Sequence, residues 1–232
     1  MNALVGRAAS LLTGLATAIV IVALAILPLL TPQWVSFEQG RSNAAGWTGY
    51  TNAELNAATG SILSDLVLGP PGFDVAVRGE TVLDSRERGH MRDVRNVFTG
   101  LWALAVLSIV VLAVASRRTD RSARRRAIRR GAVGLAIGVI VLGAVAFVAF
   151  DALFETFHEI LFAAGSYTFD PATERLVQLF PFQFWQESAI VVCALIFVSC
   201  TAVAVATGSP ATGAARDADA AAPDVAAQKA RA

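Results

Sequence analysis

Residues 97–150 read VFTGLWALAVLSIVVLAVAS, RRTDRSARRRAIRR and GAVGLAIGVIVLGAVAFVAF, with an arginine-rich run between two uncharged stretches. An α-helix needs about 20 apolar residues to cross the hydrocarbon core of a bilayer, and each uncharged stretch has this length. Two similar stretches lie elsewhere in the chain. The sequence therefore predicts a mostly α-helical membrane protein with four transmembrane helices, at residues 1–32, 97–116, 131–150 and 188–207.

The arginine-rich run, residues 117–130, contains eight arginines and one acid, Asp120. Short loops with this bias lie on the cytoplasmic side of a membrane. Both termini are then also cytoplasmic, and residues 33–96 and 151–187 lie outside. Anionic lipid head groups are a further possible partner for the arginines, although the topology alone explains them.

The composition excludes several other classes of protein. Charged residues make up 16% of the chain, whereas soluble domains have about 25%. The net charge of +1 gives no reason to expect a nucleic-acid partner. The two cysteines lie in one apolar stretch and cannot form a disulfide framework. A cleaved signal peptide is the alternative for the first span, but its apolar run is too long for one.

The segment between the first two spans is too long for a bare loop and should fold. Its apolar spacing predicts one or two helices over residues 51–68, followed by a Gly-Pro-Pro-Gly break. Alternating residues between 73 and 83 predict a β-hairpin. Asp84 and Glu87 have the spacing of a helix N-cap with a capping box, so a helix should begin there and continue into the second span. We therefore expect a small extracytoplasmic α+β domain.

Two further predictions concern the second half of the chain. The apolar pattern after residue 150 predicts that the third membrane helix continues to about Gly165 as an amphipathic helix. The alanine-rich residues 208–232 have no apolar periodicity. They are predicted to form a disordered cytoplasmic tail.

The chain has two histidines, His90 and His158, and both lie beyond predicted spans. They are almost equally distant from the centre of the arginine-rich run. If the second and third membrane helices are antiparallel neighbours, the two imidazoles differ in height by only about 1.5 Å. Both would lie in the head-group region, roughly 10–12 Å beyond the last apolar turn. This matched placement predicts a functional pair.

Carboxylates lie three residues from each histidine: Glu87 and Asp93 flank His90, and Glu155 precedes His158. Residues at this spacing share a helix face and could orient a ring and select its tautomer. Two alternatives remain open at this point. The histidines could be satisfied polar residues at the interface, or they could hold a metal ion together with Asp93.

Three motifs resemble the bacterial lipoprotein intramolecular transacylase family. They are ERGHMRDVR at 87–95, FHEILFAAGSYTFDP at 157–171 and LFPFQFW at 179–185. The four spans and the outer histidines also match, so the resemblance extends to about residue 206. It implies that His90 and His158 are catalytic, together with Asp93.

Members of that family move the sn-2 acyl chain of a diacylglyceryl-modified lipoprotein cysteine to the α-amine of the same cysteine. The resemblance therefore implies an enzyme of the bacterial cytoplasmic membrane, with a lipoprotein substrate, membrane lipids around it and an extracytoplasmic active site. Because the substrate brings its own nucleophile, we expect neither a cofactor nor a metal. The alternatives are a non-enzymatic four-span scaffold with an outer binding domain, and a protein that binds lipid or metal through the same histidines.

Overall fold

The structure is a computed structural model that describes residues 3–208. The described chain is mostly helical and has one two-stranded sheet. The elements in chain order are α1 (Ala3–Ile26), a 3₁₀ turn (Leu27–Leu30), α2 (Pro32–Arg41), α3 (Ala44–Thr48), α4 (Asn52–Val67), β1 (Ala76–Val77), β2 (Glu80–Thr81), α5 (Ser85–Arg118), α6 (Arg121–Leu161), α7 (Arg175–Leu179) and α8 (Phe182–Thr207). Apart from Gly208, the predicted disordered tail lies outside the described residues.

Four helices, α1, α5, α6 and α8, are long and apolar enough to cross a membrane. They coincide with the uncharged stretches, the first of which continues through the 3₁₀ turn after α1, so the predicted number and order of candidate membrane helices is confirmed for the described residues. The helices α5 and α6 also extend well beyond these stretches, at the N-terminal end of α5 and the C-terminal end of α6. These two extensions carry His90 and His158.

Helix α1 lies between α5 and α6 and packs against both, while α8 packs mainly against α6. The buried face of α1 is formed largely by small residues, among them Thr13, Ala16, Thr17 and Ala23. Small side chains allow membrane helices to approach closely. Because α5 and α6 contact each other at few positions, the expectation that they are neighbours along their length is wrong.

The helices α1 and α6 cross at Gly14 and Gly131 with no room for a side chain. A Cβ atom placed on Gly131 would lie 2.7 Å from the Cα of Gly14. The obstructing atoms belong to the backbone of α1, so no side-chain rotation could relieve the clash. The two helices would have to move apart instead.

The variant Gly131→Ala is therefore expected to destabilise the protein by roughly 1–3 kcal/mol, the usual cost of overpacking a core. Gly134→Ala is the matched control on the same helix, because a Cβ atom at Gly134 would meet nothing within 4 Å. Thermal unfolding of both variants in detergent micelles measures the difference. Equal melting temperatures for the two variants would contradict the close crossing.

Helix α6 bends at Ala149, whose φ of −144° and ψ of 52° are not helical. The third membrane helix does continue beyond its span, but the prediction of its end is wrong, because it stops at Leu161 rather than near Gly165. No proline lies close to the bend. The change of direction allows the end of α6 to reach α5, although α1 lies between the two helices inside the bundle.

Residues 31–84 and 162–181 form a cap at one end of the bundle. Its elements pack around one apolar core, whose members include Val35, Ile62, Phe73, Leu83, Leu179 and Phe184. The predicted helix over 51–68 is present as α4, which begins at a capping box formed by Thr51 and Glu54. The cap holds α5 at its N-terminal end, through contacts between α4 and α5.

The predicted hairpin is present but short, since β1 and β2 pair over only two residues each. Arg78 and Gly79 connect the strands with positive φ values of 53° and 81°, as a tight two-residue turn requires. The cap is therefore mostly helical with a small strand content, and the predicted α+β domain is not confirmed. The helices α2 and α3 were not predicted, although Thr31 as N-cap and Pro32 at the first helical position signal the start of α2.

Candidate active site

The first turn of α5 is held in place by hydrogen bonds that converge on Glu87. Its carboxylate accepts the backbone N–H of Asp84 at 2.7 Å, and the Asp84 side chain accepts the N–H of Glu87 at 2.8 Å. The predicted capping box is thus confirmed. The second Glu87 oxygen accepts the N–H of Leu176 in α7 at 2.6 Å. These bonds fix the turn from which His90 projects, and His90 itself is only 7% exposed.

His158 lies in the last turn of α6 and faces His90. The two ring centroids are 6.1 Å apart and the ring planes differ by 23°. The predicted proximity of the histidines is confirmed, although α5 and α6 contact each other at few positions and α6 is interrupted at Ala149. At this separation both rings can contact a single reacting group.

The tautomer of His158 follows from its hydrogen bond. Its Nδ1 lies 2.7 Å from the carbonyl oxygen of Phe154. A carbonyl oxygen only accepts, so Nδ1 carries the proton and donates. In the neutral form of the ring, Nε2 of His158 is then the nitrogen with a lone pair that can accept a proton. This partner could not be predicted from residue types, because every residue has a carbonyl oxygen.

His90 lies in an aromatic environment. The ring of Phe162 is 4.8 Å from His90 and that of Phe169 is 5.5 Å away, both edge-on. Burial lowers the pKa of His90 to about 4; the neighbouring His158 lowers it too, while the charge of Asp93 opposes the shift. His90 is therefore a neutral imidazole at physiological pH. Its Nδ1 atom is buried and has no hydrogen-bond partner among the described residues.

Arg86 holds the loop that supplies Phe169. Its guanidinium donates to the carbonyl of Thr168 at 2.6 Å, pairs with Glu174 and lies 4.7 Å from the centroid of the Phe169 ring. The loop is thereby fastened to the first turn of α5. This attachment keeps the Phe169 ring against His90.

The three carboxylates predicted to support the histidines have other partners or none. Both Glu87 oxygens accept backbone N–H groups, and Glu155 accepts the hydroxyl of Tyr167 at 3.3 Å. Asp93 is exposed and has no hydrogen bond or ion pair with any residue in the described range. None of the three carboxylates hydrogen-bonds a histidine ring within the described residues, and Asp93 acts on His90 through its charge.

An open groove of about 440 Å³ lies beside the histidine pair. It is lined by Asp93, Asn96, Val97, Leu161, Phe162 and Ala163. Phe162 lines the groove and its ring also contacts His90, so it connects the groove with the histidine pair. One part of the lining is thus polar and carries a negative charge, and the other part is apolar.

A metal ion would need three or more ligands in one place. Within residues 3–208, no three His, Cys, Asp or Glu side chains are grouped in this way. The arrangement of His90, His158 and Asp93 suggested from spacing as a metal site is therefore not found as a ligand cluster there. What the structure does bring together is a neutral, buried imidazole and a second imidazole with a free Nε2.

Comparison with known proteins identifies the family. A family model described as lipoprotein intramolecular transacylase Lit matches residues 11–185. The chain belongs to the Lit family. The matched residues include both histidines, the cap and most of the membrane helices. Membership of the Lit family supports a transacylase activity and a membrane-integral protein.

Solved structures show the Lit fold for this chain. The structure of the membrane integral lipoprotein intramolecular transacylase Lit from Bacillus cereus has a TM-score of 0.72 and 19% identity, and covers 89% of this chain and 97% of that one. Two structures of the same Bacillus cereus protein with one histidine changed, to arginine or to alanine, each have a TM-score of 0.71 and 17% identity. They cover 88% of this chain and 90% and 92% of theirs. Among curated proteins no significant match was found.

Proposed function

We propose that this Lit-family chain moves the sn-2 acyl chain of a diacylglyceryl-modified lipoprotein cysteine to the α-amine of the same cysteine. The observation that carries the proposal is the stacked pair of His90 and His158, 6.1 Å apart. A reaction within one substrate needs no nucleophile from the enzyme. It needs a base for the attacking nitrogen and a hydrogen-bond donor for the developing oxyanion, and two imidazoles can supply both.

The environments of the histidines favour different roles. His158 has its Nδ1 proton committed to the Phe154 carbonyl, which leaves Nε2 free to accept a proton as the general base. Because the pKa of His90 is lowered to about 4, its imidazole is a poor base at neutral pH. A neutral imidazole still has one N–H group, so His90 is assigned as the donor to the oxyanion.

The proposed reaction begins when the α-ammonium loses one proton to solvent through Nε2 of His158. The neutral amine then attacks the ester carbonyl carbon, and the N–C bond forms while His90 donates to the oxyanion. His158 takes a second proton from the attacking nitrogen. The C–O bond to the glycerol then breaks, and the leaving oxygen takes that proton. An amide and a free hydroxyl result, and both histidines return to their starting states.

Apolar side chains around the site support a location at the membrane surface. Beyond the bend in α6, Phe157 is 51% exposed and Ile160 is 75% exposed. Exposed apolar residues on a membrane-protein helix suit contact with lipid rather than with water. An ester at head-group depth would then lie level with the histidines, so the lipid substrate need not leave the bilayer.

The proposed orientation has the arginine-rich loop and both termini in the cytoplasm and the histidines outside. A fluorescent reporter fused after Thr207 is expected to fluoresce, and an alkaline phosphatase fused there is expected to be inactive, because the arginines retain their loop inside. A second fusion, with alkaline phosphatase inserted between β1 and β2, is expected to have phosphatase activity. Phosphatase activity after Thr207 would overturn both the orientation and the extracytoplasmic site.

The proposed activity can be tested in a bacterial strain that lacks every other lipoprotein N-acylation. Expression of the chain should convert the N-terminal peptide of a lipoprotein from the diacylglyceryl form with a free amine to the N-acyl, monoacylglyceryl form. The mass of the peptide stays the same, because the acyl chain moves within it. Fragment masses in tandem mass spectrometry and loss of the primary amine therefore provide the readout. A peptide that keeps its free amine and both glyceryl esters would contradict the proposal.

A further inference from the structure

Asp93 lines the groove beside the histidines. It is exposed and has neither a hydrogen bond nor an ion pair with any residue in the described part of the chain. Of the other carboxylates near the site, Asp84, Glu87 and Glu155 have hydrogen-bond partners, and Glu159 lies outside the groove lining. A carboxylate left free in this position is available to a ligand.

The remaining lining of the groove indicates what kind of ligand would fit. Asn96 adds a second polar group close to Asp93, whereas Val97, Leu161 and Phe162 are apolar. Val97 is also the first residue of the uncharged stretch of α5, so the apolar part of the groove begins where the membrane span begins. The lining therefore complements a molecule that has a positive group at one end and a hydrocarbon chain at the other.

The position of Asp93 relative to His90 limits where the positive group would lie. The two residues are three apart on α5, a spacing at which Cβ atoms are about 5–6 Å apart on one helix face. A cation that contacts the Asp93 carboxylate is therefore within reach of the histidine pair. This distance suits a group that must be held and then deprotonated.

We propose that Asp93 binds the α-ammonium group of the lipid-modified cysteine, while Val97, Leu161 and Phe162 receive an acyl chain of the same molecule. This inference rests on the proposed function and names the group through which the substrate is recognised. In this arrangement the protons of the ammonium pass to His158 and not to Asp93. Asp93 is thus a binding residue, which differs from the role of orienting His90 expected from the sequence.

The test uses a probe that cannot react, a cysteine peptide whose two lipid chains are attached to the glyceryl group by ether bonds. The wild-type protein is expected to bind the probe with a free amine more tightly than the same probe with an acetylated amine. Asp93→Asn should weaken binding of the free-amine probe by roughly ten- to a hundredfold, the loss of a hydrogen bond between charged groups. It should leave binding of the acetylated probe unchanged.

Two further variants complete the design. Asp93→Glu retains the charge and should recover most of the affinity for the free-amine probe. Glu159→Gln is the matched control, because it removes an exposed carboxylate next to His158 but outside the groove lining. It should bind both probes like the wild type. With a reactive substrate, Asp93→Asn should raise KM by a similar factor and change kcat little.

The outcomes separate this inference from the proposed function. If the wild type binds both probes equally and Asp93→Asn changes neither, the role of Asp93 is overturned while the acyl transfer stands. A fall in kcat without a change in probe binding would also overturn it, since that pattern belongs to a residue that orients His90. If the wild type binds neither probe, the proposed function and the inference are both overturned.

Discussion

Changing His158 to alanine, asparagine or glutamine is expected to reduce acyl transfer by roughly 10²–10⁴-fold, the usual contribution of a general base. None of the three replacements can take up a proton at neutral pH, so the two amides should be no better than alanine. Tandem mass spectrometry of the lipoprotein N-terminal peptide measures the loss. The variant proteins should still be present in the membrane, because His158 is only half-buried at the end of α6.

Glu159→Gln is the control for this prediction, since it changes the adjacent exposed residue without removing an imidazole. Its rate of acyl transfer should remain close to that of the wild type. Substantial activity in His158→Gln would contradict the assignment of His158 as the base. Full activity in variants of both histidines would leave the proposed acyl transfer without residues to perform it.

For His90, unlike His158, the alanine and amide replacements are expected to differ in activity. His90→Ala should lose roughly 10²–10³-fold in kcat, as expected for the loss of one donor to an oxyanion. His90→Asn and His90→Gln should recover part of that loss, because a side-chain amide retains an N–H group that can donate. The pattern across the three variants, rather than any single rate, identifies the role.

The pH dependence provides a second test for His90. Because its pKa is lowered to about 4, the neutral donor form persists as the pH falls from 7 to 5. Replacing His90 by glutamine should therefore scale the rate down by the same factor across this range and leave the shape of the pH profile unchanged. A profile whose acid limb disappears in His90→Gln would show that His90 titrates as the base, and the two roles would then be exchanged.

The sequence alone was sufficient to predict the number of membrane helices. It also predicted the helix cap before His90 and contained the motifs around both histidines. An uncharged stretch of about 20 residues can satisfy its backbone hydrogen bonds in a bilayer only as a helix, so composition decides the local structure. The capping box of Asp84 and Glu87 was also predictable, because it depends on residues within one helical turn. The motifs around His90 and His158 carried the family resemblance for a similar reason, since each is one continuous segment.

Only the tertiary structure decided how the helices pack and what the histidines contact. The four membrane stretches are apolar on every side, so no periodicity could indicate that α1 lies between α5 and α6. That arrangement depends on which small residues meet, as Gly14 and Gly131 do. No proline near Ala149 indicates the interruption of the helix that carries His158. The backbone partner of Glu87 lies 89 residues away along the chain, and a contact over such a separation exists only once the cap has folded onto α5.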